Sequence, residues 1–248
     1  MSLIGVIAGA ARRRAGVAST LTNDLVGWWL DPAKLSASGT TRWEDSGPNA
    51  HHLAVNGDTP TVLSTGGPSS DYAIEYPSGL ANTSRLFKTG IAALDFDRTT
   101  TARTMLMWIR TGGTESRGIS RVGGINVWPW AGGNRIDLQV AGNQMFNSPM
   151  VDSTWYVLGW TFSPAATWSS EDQVRWVRNT DLTAKTTDGT PTTNTEGDVQ
   201  IGATTNSNRI YMPGRYGVKA VWNRVLTNDE IAEFYNSGTP LTAASIGL

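Results

Sequence analysis

From Leu25 onward the chain is a series of short apolar or alternating runs, each closed by turn-forming residues. LVGWWL (25–30) is a compact apolar run, and TMLMWIR (104–110) is apolar on both faces, as in a strand inside a sheet. WYVLGWTF (155–162) places Tyr156, Leu158, Trp160 and Phe162 on one face. In QVRWVRN (173–179), Val174 and Trp176 oppose Arg175 and Val177. In RYGVKAVW (215–222), the alternation predicts a shared face for Tyr216, Val218, Ala220 and Trp222. Weaker strands are predicted at YAIEY, GISRV, INVWPW, RIDLQV and VQIGA. Between them lie SGPN, NGD, TGG, AGG, AGN and TDGTP, all turn formers. The Thr-rich stretch 179–198 reads as hairpin arms and loops. Many evenly spaced strands without alternating helices predict an all-β sandwich.

One segment breaks the strand pattern. In WNRVLTNDEIAEFYNSG (222–238), Thr227 and Glu230 form a capping box, and Asp229 and Glu230 suit the positive end of a helix dipole. Ile231, Phe234 and Tyr235 make an apolar stripe at helical spacing, and Gly238 suits a left-handed stop. So short a helix is marginal alone. It is expected to pack by its stripe against the edge or rim of the sandwich.

Composition narrows the classes. The 248 residues contain no cysteine, which excludes disulfides and thiolate metal sites. A formal charge of −1 gives no general electrostatic reason to bind nucleic acid or acidic membranes, and no apolar run is long enough to span a bilayer. The opening MSLIGVIAGAARRRAGVAST is apolar first and basic after, the reverse of a secretory signal. Leu3, Ile4, Arg12, Arg13 and Arg14 read instead as an arm that docks on another subunit. The expected layout is an arm over 1–23, one domain over 24–240 and a tail over 241–248.

With these elements in place, residues 24–53 resemble the opening strand and D-S-G-N-x-N/H loop of LamG-like, concanavalin A-type jelly-roll domains. DSTWYVLGWTF (152–162) resembles their D-x-x-W-H-x-V-x-x-x-F strand, and 214–238 their closing strand, Y-N-R-x-L-S-x-x-E-I turn and terminal helix. Trp222 takes the usual aromatic position and Thr227 the usual Ser. The resemblance implies a two-sheet antiparallel jelly-roll sandwich. The family spans glycan-binding and adhesion modules, phage tail and head parts, and polysaccharide hydrolases, so fold alone does not give function. The chain departs from the pattern at Gly217 and Val218, where many members are acidic, and around Tyr156 and Val157, where they carry His. Some relatives bind calcium. Asp45 and Asn49 offer oxygens, but a Ca²⁺ site takes six to eight and the chain has no clustered acidic loop. Asp45 is expected to anchor its own turn, and no cofactor is expected.

Catalytic arrangements are absent from the pattern. Glycoside hydrolysis needs two facing carboxylates, and relatives that do it carry E-x-D-x-x-E on one strand, which this chain lacks. DFD (95–97), EGD (196–198), Glu171 and Asp172 read as solvated charges. His51 and His52 are adjacent, so on a strand they face opposite ways. Among the 11 tryptophans, Trp28, Trp29, Trp108, Trp160, Trp176 and Trp222 sit in apolar strands as core candidates. Trp128 and Trp130, bracketing Pro129 ahead of Gly132 and Gly133, fit either a sugar-stacking loop tip or a buried or subunit-contact position. Trp43 and Trp168 lie near polar stretches and are further candidates. The expected function is a non-catalytic structural or adhesion component of a phage virion. In that role it would be made in the host cytoplasm, be held by its arm to capsid or tail proteins, and form homo-oligomers. A free carbohydrate-binding module touching cell-surface glycan is the alternative, and a polysaccharide hydrolase comes third.

Overall fold

The computed structural model describes residues 19–37, 39–80, 84–97, 100–112, 119–129, 135–140, 143–144, 148–149, 153–164, 174–184, 197–202 and 213–248. These form an antiparallel β-sandwich of jelly-roll type. In chain order the strands are β1 (Leu25–Trp29), β2 (Ala54–Asn56), β3 (Thr61–Leu63), β4 (Ala73–Tyr76), β5 (Arg85–Lys88) and β6 (Arg103–Thr111). There follow β7 (Ser120–Val122), β8 (Ile125–Pro129), β9 (Arg135–Val140), β10 (Asn143–Gln144) and β11 (Ser148–Pro149). The chain closes with β12 (Trp155–Phe162), β13 (Val174–Arg178), β14 (Asp181–Ala184), β15 (Val199–Ile201) and β16 (Gly214–Trp222). The first sheet runs β14-β13-β12-β6-β16-β4-β3, with β1 also on β16; the second runs β10-β9-β8-β7-β15-β5-β2, with β11 on β9.

The two sheets enclose one apolar interior. Trp29, Met105, Met107, Ile109, Leu158, Trp160, Phe162, Val174 and Trp176 enter it from the first sheet. Leu86, Val122, Ile125, Val127, Val199 and Ile201 enter it from the second. The doubly apolar β6 is central, between β12 and β16, as its pattern predicts. All six tryptophans read as core are fully buried. The Trp28–Trp29 pair serves both sides of its sheet. Trp29 points into the interior and donates its indole N–H to the His51 carbonyl at 2.7 Å, while Trp28 points away.

Closing strand β16 departs from strict alternation. Tyr216 pairs with Ile109 and Lys219 with Met107, so Gly217 and Val218 together oppose Trp108. This bulge reverses the strand's faces. Tyr216 lies in the interior, whereas Val218, Ala220 and Trp222 lie on the outer face, which corrects the shared face expected for all four.

That outer face is apolar and carries a third layer. Helix α1 (Pro32–Leu35) is a single turn; α2 (Asn228–Tyr235) and α3 (Ala243–Ile246) pack with Leu21 over Trp28, Leu106, Trp108, Val157, Val218, Ala220 and Trp222. Phe234 meets Trp28 and Trp222 edge-on with centroids 5.6 and 5.8 Å apart, and Tyr235 stacks on Trp108 at 5.7 Å. Helix α2 therefore lies on the sheet's face, not at the edge or rim. The capping box is as predicted, but the left-handed stop falls on Asn236 (φ 42°), ahead of Gly238. Packing continues past both expected domain bounds. Leu21 is buried on one side, and Leu241, Ala243 and Ile246 on the other.

Candidate functional site

The outer face of the second sheet is of opposite character. Its apolar residues are spent on the interior, so the alternate positions face away from it. The pairings align these positions into one transverse row: Ala54 with Phe87, Phe87 with Gln200, Gln200 with Arg121, Arg121 with Asn126, Asn126 with Gln139, and Gln139 with Gln144. Five adjacent strands thus contribute four carboxamide residues and one arginine at a common level. Gln200, Arg121 and Asn126 are buried, and Phe87 and Arg85 at the β5 margin are half-buried. The Arg85 guanidinium sits 5.3 Å from the centre of the Phe87 ring.

Asp198, just before β15, organises the centre of the row. It forms a buried ion pair with Arg121 at 2.8 Å, and the same oxygen accepts from the Gln200 amide at 2.7 Å. Three acceptors near this level, Asn126 Oδ1, Asp198 Oδ1 and Gln200 Oε1, have no donor among the described residues. Buried acceptors without donors are costly, and all three are enclosed, in residues no more than 3% exposed. Asp198 belongs to the EGD string expected to be solvated, and its burial corrects that expectation.

Lys219 supports the row from beneath. From β16 its amine crosses the interior and donates to Ser120 Oγ at 2.6 Å and to the carbonyls of Arg121 at 3.2 Å and Gln200 at 2.9 Å. Complete burial lowers its pKa to about 7, against the opposing pull of the Asp198 carboxylate. Such a group is expensive to bury, but its hydrogen bonds fix the backbone under the two central residues of the row.

The residues singled out from sequence fall in different places. Trp128 lies within β8, opposite Asp137 and two positions along from Asn126, so strand geometry puts it beside the row. Trp43 is half-buried and packs against the interior, away from that face. Trp130, Trp168, Glu171, Asp172 and the arm residues Leu3, Ile4, Arg12, Arg13 and Arg14 lie outside the described residues. Asp45 accepts from the backbone N–H groups of Trp28, Gly47 and His51 at 2.7, 2.7 and 3.0 Å, while the Asn49 amide donates to the carbonyls of Leu25 and Val26. Both side chains are engaged in tying the D-S-G-P-N loop to β1. No group of three or more His, Asp or Glu that could hold a metal occurs among the described residues.

The pattern alone did not reveal Arg121, Asn126, Gln200, Asp198 and Lys219 as a unit. The available signal was polar residues at the middle of short strands, read together with a register that only the folded pairing supplies.

No protein-family model matches the chain, and no curated protein matches it. Solved structures do. The binding domain of Paraclostridial Mosquitocidal Protein 1 aligns with a TM-score of 0.62 at 13% identity, over 88% of this chain and 53% of that one. Domain 4 of AbnA, a GH43 extracellular arabinanase from Geobacillus stearothermophilus in complex with arabinotriose, aligns with a TM-score of 0.57 at 11% identity, over 85% of this chain and 97% of that one. The binding domain of botulinum neurotoxin DC, in complex with rat synaptotagmin II, gives a TM-score of 0.61 at 9% identity, over 89% and 53%. The likeness is one of fold. This chain spans about half the length of the two toxin domains and nearly all of the arabinanase domain.

Proposed function

We propose that the chain is a non-catalytic, lectin-like binding module that takes a carbohydrate on the outer face of its second sheet. The observation that carries this reading is the transverse row of Gln200, Arg121, Asn126, Gln139 and Gln144, a polar band across five adjacent strands. Planar amides and a fixed guanidinium match the dense hydroxyls of a sugar, and half-buried Phe87 adds aromatic surface at the margin of the row. Half-buried Arg85 and Phe87 mark the side from which a ligand approaches. The near full-length alignment with an arabinanase domain solved with arabinotriose supports the reading, as does the LamG-like resemblance of residues 24–53 and 214–238. The non-catalytic part is supported by Asp198, which among the described residues is paired with Arg121 at 2.8 Å.

A glycan array followed by calorimetry tests the proposal. At least one oligosaccharide should bind with a Kd in the millimolar range or tighter. Trp128→Ala and Asn126→Ser should each weaken binding about tenfold, the loss of roughly one stacking or hydrogen-bonding contact. Absence of any glycan ligand, or binding indifferent to both substitutions, sinks it.

A particle-bound setting is the second reading, with residues 1–18 as the attachment arm to a phage capsid or tail. Residues just after that segment are anchored to the helix layer. Trp222 donates to the Leu21 carbonyl at 2.6 Å, and Arg224 to those of Thr20 and Asn23 at 2.8 and 3.0 Å. The arm would therefore leave from the side opposite the polar row. Loss of particle association on deleting residues 1–18 is the expected result, and retention excludes this reading.

A further inference from the structure

We infer a second binding site on the opposite side of the molecule, where Arg110 takes the carboxylate of an acidic sugar and Trp155 lies against its ring. It uses none of the residues of the polar row and stands without the reading above. The helix layer seals the outer face of the first sheet only as far as Trp108, which Tyr235 covers. One level further along β6, the pairings align Thr61, Glu75, Arg215, Arg110 and Trp155 across five adjacent strands, β3, β4, β16, β6 and β12. Their neighbours Val62, Ile74, Tyr76, Tyr216, Ile109 and Tyr156 meet the interior, so alternation turns these five outward. Thr61 is exposed and the other four are half-buried, so every member of the row meets solvent.

The charges of this row are not engaged alike. Glu75 accepts from Arg215 Nε at 2.8 Å, and Arg215 Nη1 donates to the Gly66 carbonyl at 3.3 Å. Arg110 is held by its Nε alone, which donates to the Ser153 carbonyl at 2.8 Å. Ser153 has a left-handed φ of 64°, uncommon for a serine, and its N–H is tied to the Thr111 carbonyl at 3.2 Å. This turn fixes the guanidinium by one nitrogen and leaves the two terminal nitrogens without an acceptor among the described residues. Those two nitrogens are a fork that a carboxylate can take with both oxygens. Trp155, cross-strand from Arg110, packs on the margin of the apolar layer. Its indole N–H has no acceptor among the described residues and is not enclosed, unlike those of Trp28, Trp108, Trp160 and Trp176. Such an indole offers an apolar face to the C–H side of a sugar ring and a donor to its hydroxyls. Side chains at directly paired positions start about 5 Å apart, so one sugar residue reaches both Arg110 and Trp155.

Calorimetric titration of the intact chain tests the site, with 3′-sialyllactose against lactose and trigalacturonate against its methyl ester, at low and high NaCl. The wild type and Asn126→Ser are titrated side by side, so that any contribution of the second sheet shows. At least one acid should bind about ten times more tightly than its neutral counterpart in both proteins, and high salt should remove most of that difference. Arg110→Gln should bring the acid down to the level of the neutral ligand. Trp155→Ala should weaken the acid about tenfold. Should Trp155→Ala fail to fold, Arg110→Gln, at a half-buried position, decides alone. Equal affinity within both pairs, or no binding of either acid, overturns the site. So does a preference for the acid that survives Arg110→Gln, is indifferent to a folded Trp155→Ala, or vanishes in Asn126→Ser. The carbohydrate reading of the second sheet is judged by neutral ligands and its own variants, so either site can fail while the other stands.

Discussion

Two ionisable residues carry stability that pH can read out. Lys219 has its folded pKa lowered from 10.5 to about 7. Below pH 7 it is charged in both states and the burial penalty is fully present. Between pH 7 and 10.5 the unfolded chain binds the extra proton, so stability rises with pH. Guanidinium unfolding at pH 7, 8, 9 and 10 should show that rise in the wild type and a flatter profile in Lys219→Met. Glu230 behaves oppositely. Burial alone would raise its pKa, but hydrogen bonds from Arg224, Thr20 and the Thr227 backbone, and the Arg224 charge, lower it from 4.5 to about 2. Its contribution is present above pH 4.5 and is lost as pH falls through 2. Glu230→Gln should cost about 2 kcal/mol at pH 6, allowing for solvent screening, and remove most of the acid dependence between pH 4.5 and 2.

At the scale of elements, the third layer follows from one sheet having two apolar faces. Helix α2 exists as a helix because the Trp28–Trp222–Phe234 cluster rewards it, since eight residues would not hold helical form alone. Phe234→Ala should cost about 3–5 kcal/mol and expose the outer face of the first sheet, measurable by denaturant unfolding and by increased dye binding. Strong strands were legible in the sequence because their side chains pack on at least one full face. Accordingly β6, β12 and β13 have the faces that alternation predicts. Short strands such as β2, β3 and β5 were not, since three or four residues carry too little periodicity to stand out from loop. The helix was legible to its cap but not in its docking place, because its stripe says only that something apolar covers it.

At the scale of the molecule, the two outer faces divide the work. One is sealed by helices and by the chain's first described residues, and the other keeps a polar row. A chain beginning at Asp24 should melt about 4–8 °C below one beginning at Ser19, because Leu21 is fully buried and its carbonyl takes the Trp222 indole. Differential scanning calorimetry of the two truncations checks this. Of the candidate residues, the sequence singled out Trp128 through its aromatic spacing, and the register pairs its backbone position with Asp137. The row itself stayed hidden. Its members are scattered from residue 54 to residue 200 and become neighbours only through strand pairing, and Asp198 was masked by the loop-like composition around it.

The bulge at Gly217 and Val218 has a consequence that reaches from one surface to the other. By inserting a single extra residue, β16 presents hydrocarbon to the helices and, one step later, an ammonium group to the opposite sheet. Shortening the strand by that residue would exchange the two, pressing a cation against the indoles and leaving the backbone of Arg121 and Gln200 without its pillar. One inserted position thus lets a single strand serve an oily seal on one side and a buried polar brace on the other.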